Sequence, residues 1–251
     1  MPIITLTTDF GTRDGYVGAM KGVIARRAPE ATVIDLAHDI PPGDIAHAAW
    51  VVSTSAPEFP WGAVHVVVVD PGVGGTRRGV IASAVGQWYV GPDNGVFGYV
   101  TNRHTQAWVI DERQLGQGVS RTFHGRDVFA PVAVSLALGE PAARWGQPYQ
   151  LSGELPWGPR PERQGRVVHI DRFGNLITDL PRAEAGAAVA IVGHTIAMHG
   201  TFDDVPSGEL LAYIGSARTV EIAVRDGRAD QRLGVPRGTI VQPVKDAGPY
   251  R

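Results

Sequence analysis

Hydrophobic and polar positions along the first half of the chain follow a strand–helix rhythm. An apolar and β-branched run at Ile3–Thr8 stops at Asp9, and Gly11 follows. Positions 14–27 carry Tyr16, Val17, Met20 and Ile24 at spacings that predict one face of a helix. A second strand is predicted at 32–36, ending near Asp39, Pro41 and Pro42. Asp44 is placed to cap the next helix, which carries Ile45, Ala48, Ala49 and Val52. The β-branched run at 64–69 ends at Asp70 and suits a strand buried on both faces. Gly79–Ala84 reads as a further strand, and 126–138 as a helix with Val128, Phe129, Val132 and Leu136 on its apolar stripe. This order of elements predicts a mostly parallel, doubly wound α/β sheet.

The texture changes between 150 and 165. Leu155-Pro156-Trp157-Gly158-Pro159-Arg160-Pro161 suits neither a helix nor a central strand and reads as a linker. Beyond it, short strands predicted at 167–170, 176–178, 188–192, 195–199, Thr219–Val224 and 239–244 alternate with turns. That spacing predicts a smaller all-β domain, a barrel or a sandwich. The expected division is an α/β domain at 1–155, a linker at 156–165 and the all-β domain at 166–251.

Composition narrows the function classes. The 251 residues are 43% hydrophobic and 19% charged, as in an ordinary globular protein. A net charge of -2 supplies no general attraction to nucleic acid or an anionic membrane, so neither is an expected partner. Only Lys21 and Lys245 are lysines, and no GxxxxGK[ST] phosphate loop is present. With no cysteine, disulfides, thiolate nucleophiles and zinc–sulfur sites are excluded. The N-terminus enters a strand without a basic stretch, and no apolar run approaches the roughly 20 residues that span a bilayer. A soluble, cytoplasmic protein is expected.

Candidate chemistry gathers at strand ends. Ligands of open α/β sheets bind beyond the carboxyl ends of the strands, and Asp9 and Asp70 occupy two such ends on one rim. Each is followed by a glycine-containing loop that lets backbone approach a ligand. A strand-end aspartate also serves as a turn or helix cap, so neither is decisive alone. The segment Asp70-Pro71-Gly72-Val73-Gly74-Gly75-Thr76-Arg77-Arg78 is not a GxGxxG fingerprint. Phe123-His124-Gly125-Arg126-Asp127 precedes a helix, which puts His124 near its positive end, as a structural cap or as a catalyst. Asp171-Arg172-Phe173-Gly174-Asn175 reads as a hairpin turn carrying one aromatic residue.

Taken together with Pro92-Asp93-Asn94-Gly95, the order and spacing of these segments resemble the S-adenosylmethionine hydroxide adenosyltransferase family, related to the fluorinases and chlorinases. The resemblance runs from Thr7-Thr8-Asp9-Phe10-Gly11 to the strand at Thr219–Val224. It implies an N-terminal α/β domain with a C-terminal β-barrel, and a homotrimer whose sites lie between the N-domain of one subunit and the C-domain of its neighbour. It also implies that Asp9 holds the ribose hydroxyls, Asn175 reads the adenine edge and Phe173 lines its pocket. Asp171 and Ser216 are implied contacts of the methionine amine and carboxylate, and Phe123 joins the substrate-binding set. Asp70, Arg77 and His124 match the set that handles water in the hydrolase branch, and no metal or cofactor is implied.

The expected reaction is hydrolysis of S-adenosylmethionine to adenosine and methionine. Attack at the ribose C5′ displaces a neutral thioether from a sulfonium, so the leaving group needs no acid. An oriented, partly deprotonated water is required; Asp70 or His124 can take its proton, and Arg77 can stabilise developing hydroxide charge. Two rival readings are a halogenase forming 5′-halo-adenosine and a protein that binds S-adenosylmethionine or adenosine without turnover. A carboxylate at Asp70 repels a halide in a dry pocket, and a pure binder needs no water-handling set. Gly43, Gly75 and Gly215-Ser216-Ala217 depart from the family pattern, which has an aromatic residue, a hydroxyl residue and Asn-Ser-aromatic there. These departures are expected to loosen ribose or methionine recognition and raise KM.

Overall fold

The computed structural model describes residues 1–245, so the end of the expected barrel domain, 246–251, lies outside the described residues. The chain forms two compact units, Met1–Pro156 and a second that starts at Trp157.

The first unit is built on a six-stranded sheet. In chain order its strands are β1 (Ile3–Thr8), β2 (Thr32–Ala37), β3 (Val64–Val68), β4 (Gly79–Ala84), β5 (Gln87–Pro92) and β6 (Gln106–Val109), arranged β2-β1-β3-β5-β4-β6. The pairings β1–β2, β1–β3 and β3–β5 are parallel, whereas β4 runs antiparallel to both β5 and β6. The expected parallel sheet is therefore extended at one edge by an antiparallel pair. The reason is local: Val85 and Gly86, both at positive φ, close a hairpin that returns β5 directly alongside β4.

Helices α1 (Tyr16–Arg27), α2 (Ile45–Ser55) and α3 (Ala130–Ala137) cover the sheet. Val64, Val66 and Val68 pack in one buried cluster with Met20, Ile24 and Val132, while Val67 and Val69 pack in another with Ala48 and Val52. Every residue of β3 is buried, which its β-branched run anticipates. Two helix boundaries differ from expectation. α1 starts at Tyr16 rather than at 14, with Gly15 as its cap and Val17, Met20 and Ile24 buried. The helix expected at 126–138 is a single π turn, Gly125–Phe129, followed by α3; such turns interrupt α-helices often at functional sites. Asp44 caps α2 as expected, accepting from the His47 amide.

The second unit holds β7 (Gly165–Ile170), β8 (Leu176–Pro181), β9 (Ala188–Ile191), β10 (His194–Ala197), β11 (Leu210–Ile214), β12 (Thr219–Val224), the short α4 (Ala229–Leu233) and β13 (Ile240–Val244). The strands form one antiparallel sheet, β10-β9-β13-β7-β8-β12-β11. Its two edges nearly close on each other, because the His199 amide donates to the Ala212 carbonyl at 2.7 Å. Leu176, Leu180, Val189, Val220 and Ile222 fill the interior of this barrel-like sheet. The Pro- and Gly-rich segment before β7 is tied to this unit: Arg166 donates to the carbonyls of Trp157 and Gly158, and Arg160 pairs with Glu184.

Candidate active site

In the first unit the parallel strands deliver Asp9 and Asp70 to one rim. β1 and β3 are neighbours in parallel register, and the Asp9 amide donates to the Val68 carbonyl. Asn94, in the loop after β5, donates from Nδ2 to the Val69 carbonyl at 2.9 Å and fixes the chain just before Asp70.

From Asp70 the loop doubles back, so that Arg77 reaches it. Arg77 Nε donates to Asp70 Oδ1 at 2.9 Å, and Nη2 donates to Oδ2, a two-point grip on the carboxylate. The turn needs Gly72, where a Cβ would lie 3.1 Å from Arg77 Cγ, and Gly74, at φ +70°. The same Nη2 lies 2.9 Å from His124 Nδ1. All three side chains are nearly buried. The Phe129 ring lies against both Arg77, at 5.5 Å, and His124, at 6.3 Å.

His124 caps the π turn, whose Gly125 presses onto β3. A Cβ at 125 would lie 3.1 Å from Met20 Sδ and 3.3 Å from Val68 Cγ1, so any larger residue would push His124 off the rim. Guanidinium nitrogens only donate, so the lone pair of His124 Nδ1 faces Arg77, and a neutral ring then carries its proton on Nε2. Burial holds the His124 imidazole below its ordinary pKa and the Arg77 charge adds to this; Glu112, Asp70 and Asp127 pull the other way.

The remaining candidates of this unit surround that trio. Asp9 Oδ2 accepts from the Gly43 amide at 2.8 Å. Gly43 holds φ +75°, a conformation in which an aromatic residue would be strained. Phe123 meets Phe10 and Tyr16 edge-on, at centroid distances of 5.8 and 5.4 Å, beside an open cavity of about 390 Å³ that these rings share with Arg126.

In the second unit, Asp171–Asn175 is the β7–β8 turn. Asp171 Oδ1 accepts from the amides of Phe173 and Asn175, and Oδ2 accepts from Asn175 Nδ2, each at 2.9 Å. Gly174, at φ +84°, closes the turn. The result is an exposed Phe173 ring beside a buried Asn175. Ser216 is exposed on the β11–β12 turn, which joins the chain after β8 through Arg182, whereas Asp171–Asn175 precedes β8.

Three features escape the sequence reading. Glu221, buried, accepts from Tyr213 at 2.6 Å; burial pushes its pKa up, and the Asp171 charge adds to this. A side chain at 215 would collide with Glu221, which accounts for Gly215 in place of the family's asparagine. Glu112 lies against His124, a contact made between residues twelve positions apart. Asp93, part of a family-like motif, accepts from Tyr149, Ser152 and Gly153 and so has a structural task.

Comparison with known proteins extends over both units. Residues 4–146 match the SAM hydroxide adenosyltransferase N-terminal domain, and residues 165–242 match the C-terminal domain. An (R)-S-adenosyl-L-methionine hydrolase of Thermus thermophilus is 42% identical over 94% of this chain and 96% of its own. A fluorinase of Actinopolyspora mzabensis is more distant, at 27% identity over 83% of this chain and 81% of its own. An uncharacterized conserved protein from Thermotoga maritima has a similar crystal structure, with a TM-score of 0.84 and 34% identity over 95% of this chain and 98% of that one.

Proposed function

The chain belongs to the SAM hydroxide adenosyltransferase family, and from that premise we propose that it hydrolyses S-adenosyl-L-methionine to adenosine and L-methionine. The observation that carries the reading is the buried, hydrogen-bonded Asp70–Arg77–His124 set at the ends of parallel strands. Water attacks C5′ in line with the C5′–S bond; the C5′–O bond forms, and the electron pair of the broken bond goes to sulfur. One proton of the water is left for the protein to remove. Asp70 and His124 are the two groups placed to accept it, and Arg77, donating to both, stabilises hydroxide character as it develops. Holding water and substrate in line contributes up to about 7–11 kcal/mol of the barrier reduction.

The substrate contacts follow the family assignment. Asp9 holds the ribose hydroxyls and Phe123 borders the substrate. Asn175 reads the adenine edge beside the Phe173 ring, and Asp171 and Ser216 take the amino-acid end. Asn175 suits its role because Asp171 fixes its amide, while the exposed ring of Phe173 offers a flat apolar face. In this reading the site residues of the two units come from neighbouring copies in a homotrimer. No metal or cofactor takes part.

Incubation of the pure protein with S-adenosylmethionine, with adenosine and methionine followed by chromatography, tests the proposal. Equimolar products above the uncatalysed background support it. Saturable binding without turnover, or 5′-halo-adenosine formed only with halide, overturns it.

A further inference from the structure

A second acidic group, Glu112, reaches the same ring nitrogen of His124 that Arg77 contacts. Glu112 opens a short 3-10 turn, Glu112–Leu115, anchored by its cap Asp111, which accepts from the Arg113 backbone and grips the Arg113 guanidinium. Arg113 is thus committed to Asp111, and the Glu112 carboxylate makes its ion-pair contact with His124 instead. Glu112 Oε1 lies 3.6 Å from His124 Nδ1, with the Glu112 side chain 44% exposed and the His124 side chain 5% exposed. Glu112, Arg77 and Arg113 also line an open cleft of about 750 Å³. The carboxylate therefore touches the buried imidazole at one end and bulk water at the other.

The two distances at Nδ1 differ in meaning. At 2.9 Å, Arg77 Nη2 donates to an unprotonated Nδ1. At 3.6 Å, Glu112 is too far for a hydrogen bond, as expected when two acceptors face each other. Once Nδ1 carries a proton, the preference reverses: Arg77 keeps its grip on Asp70, and Glu112 becomes the partner for Nδ1–H.

We propose that Glu112 is a positioning residue for the hydrolysis: once His124 has taken the reaction's proton on the lone pair of Nδ1, Glu112 accepts that proton and gives it a way out to the cleft. The inference rests on the hydrolase reading above and names its base. The steps balance. The water proton passes to the lone pair of Nδ1, giving a ring protonated on both nitrogens, as the C5′–O bond forms and the C5′–S pair goes to sulfur. The ring's Nδ1 proton then passes to Glu112 and on to solvent. The neutral ring, with Nδ1 again accepting from Arg77, is the state in the structure. The charged groups facing His124 are Asp70, Arg77, Glu112 and Asp127, the last paired with Arg126. Of these, Glu112 combines direct contact with Nδ1 and exposure in the cleft.

The test compares the unchanged protein with Glu112→Gln and Glu112→Ala. Because Glu112 is half-exposed on a surface turn, both variants are expected to fold, and His124 can be followed by NMR titration whether or not the protein turns over. Glu112 favours the protonated ring, so the His124 midpoint is expected to move down in both variants. In both, kcat is expected to fall by about tenfold or more with KM within about twofold, and added acetate is expected to restore part of the kcat of Glu112→Ala. An unmoved midpoint, an unchanged kcat, or a loss confined to KM overturns the role of Glu112. An unchanged protein that forms no adenosine overturns the hydrolase reading itself, and the titration separates the two failures.

Discussion

Arg77 holds Asp70 by two parallel donors, Nε to Oδ1 and Nη2 to Oδ2, and the second of these nitrogens also reaches His124. A lysine keeps the charge but presents a single ammonium, which cannot reproduce this fork. Arg77→Lys is therefore expected to lower kcat by about 100-fold or more while KM changes little. Asp70→Ala is expected to keep substrate affinity and lose about 10²–10⁴-fold in kcat. Steady-state kinetics with a direct binding measurement checks both; undiminished turnover in either variant removes that residue from the water-handling set.

The β7–β8 turn couples backbone conformation to Asn175 and Phe173, the residues proposed to face adenine. Gly174 sits at φ +84°, and a Cβ there would lie 2.8 Å from Arg228 Cβ. Gly174→Ala is expected to destabilise the fold by about 1–3 kcal/mol. It is also expected to raise KM more than it lowers kcat, because Asn175 and Phe173 are displaced while Asp70, Arg77 and His124 are untouched. Denaturant unfolding and steady-state kinetics on the same preparation separate the two effects.

A buried histidine outside the site predicts acid sensitivity. His65, the second residue of β3, is fully buried, with Thr5 Oγ1 2.8 Å from its Nδ1 and the Tyr89 ring stacked on it at 5.1 Å. Burial holds its pKa down at about 4, against 6.5 for a free histidine. Between these values the unfolded chain binds the extra proton, so the stabilisation is complete above pH 6.5 and declines as pH falls toward 4. At about 1.4 kcal/mol per pH unit, the loss approaches about 3 kcal/mol. Urea unfolding across pH 4–7 is expected to show this slope, and His65→Leu to flatten it; an equal slope in both proteins assigns the effect elsewhere.

The proposal that each site takes residues from both units of neighbouring copies predicts complementation between copies. Asp70→Ala and Asn175→Ala chains, each nearly inactive alone, are expected to recover activity when co-assembled, because some sites then receive both intact halves. Light scattering is expected to give the mass of three chains. Co-assembly without recovery contradicts a site shared between neighbours.

The strand ends at Asp9 and Asp70 are legible in the sequence because a β-branched run buried on both faces has little alternative to a central strand. The hairpin turn at Asp171–Asn175 is legible for a similar reason, since Asp and Gly at those spacings favour a tight turn. Other elements are hidden. β5 is punctuated by Gly91-Pro92, and β6 is only four residues long, so the antiparallel edge of the first sheet carries little periodic signal. The π turn at Gly125–Phe129 has the apolar stripe of an ordinary helix start. The local pattern around Asp70, Arg77 and His124 allows structural caps and solvated arginines as readily as catalysis; the family resemblance supplies their grouping, and the folded loop supplies their contacts. Glu112 is invisible in the sequence because its contact with His124 is made across the fold.

Hydrolysis in ¹⁸O-labelled water tests the central claim most directly, since it asks which oxygen becomes bonded to C5′. If water held by Asp70, Arg77 and His124 attacks C5′, mass spectrometry will find the label in the 5′-hydroxyl of the adenosine and none in the methionine. Unlabelled adenosine, or 5′-halo-adenosine in its place when halide is present, would contradict it.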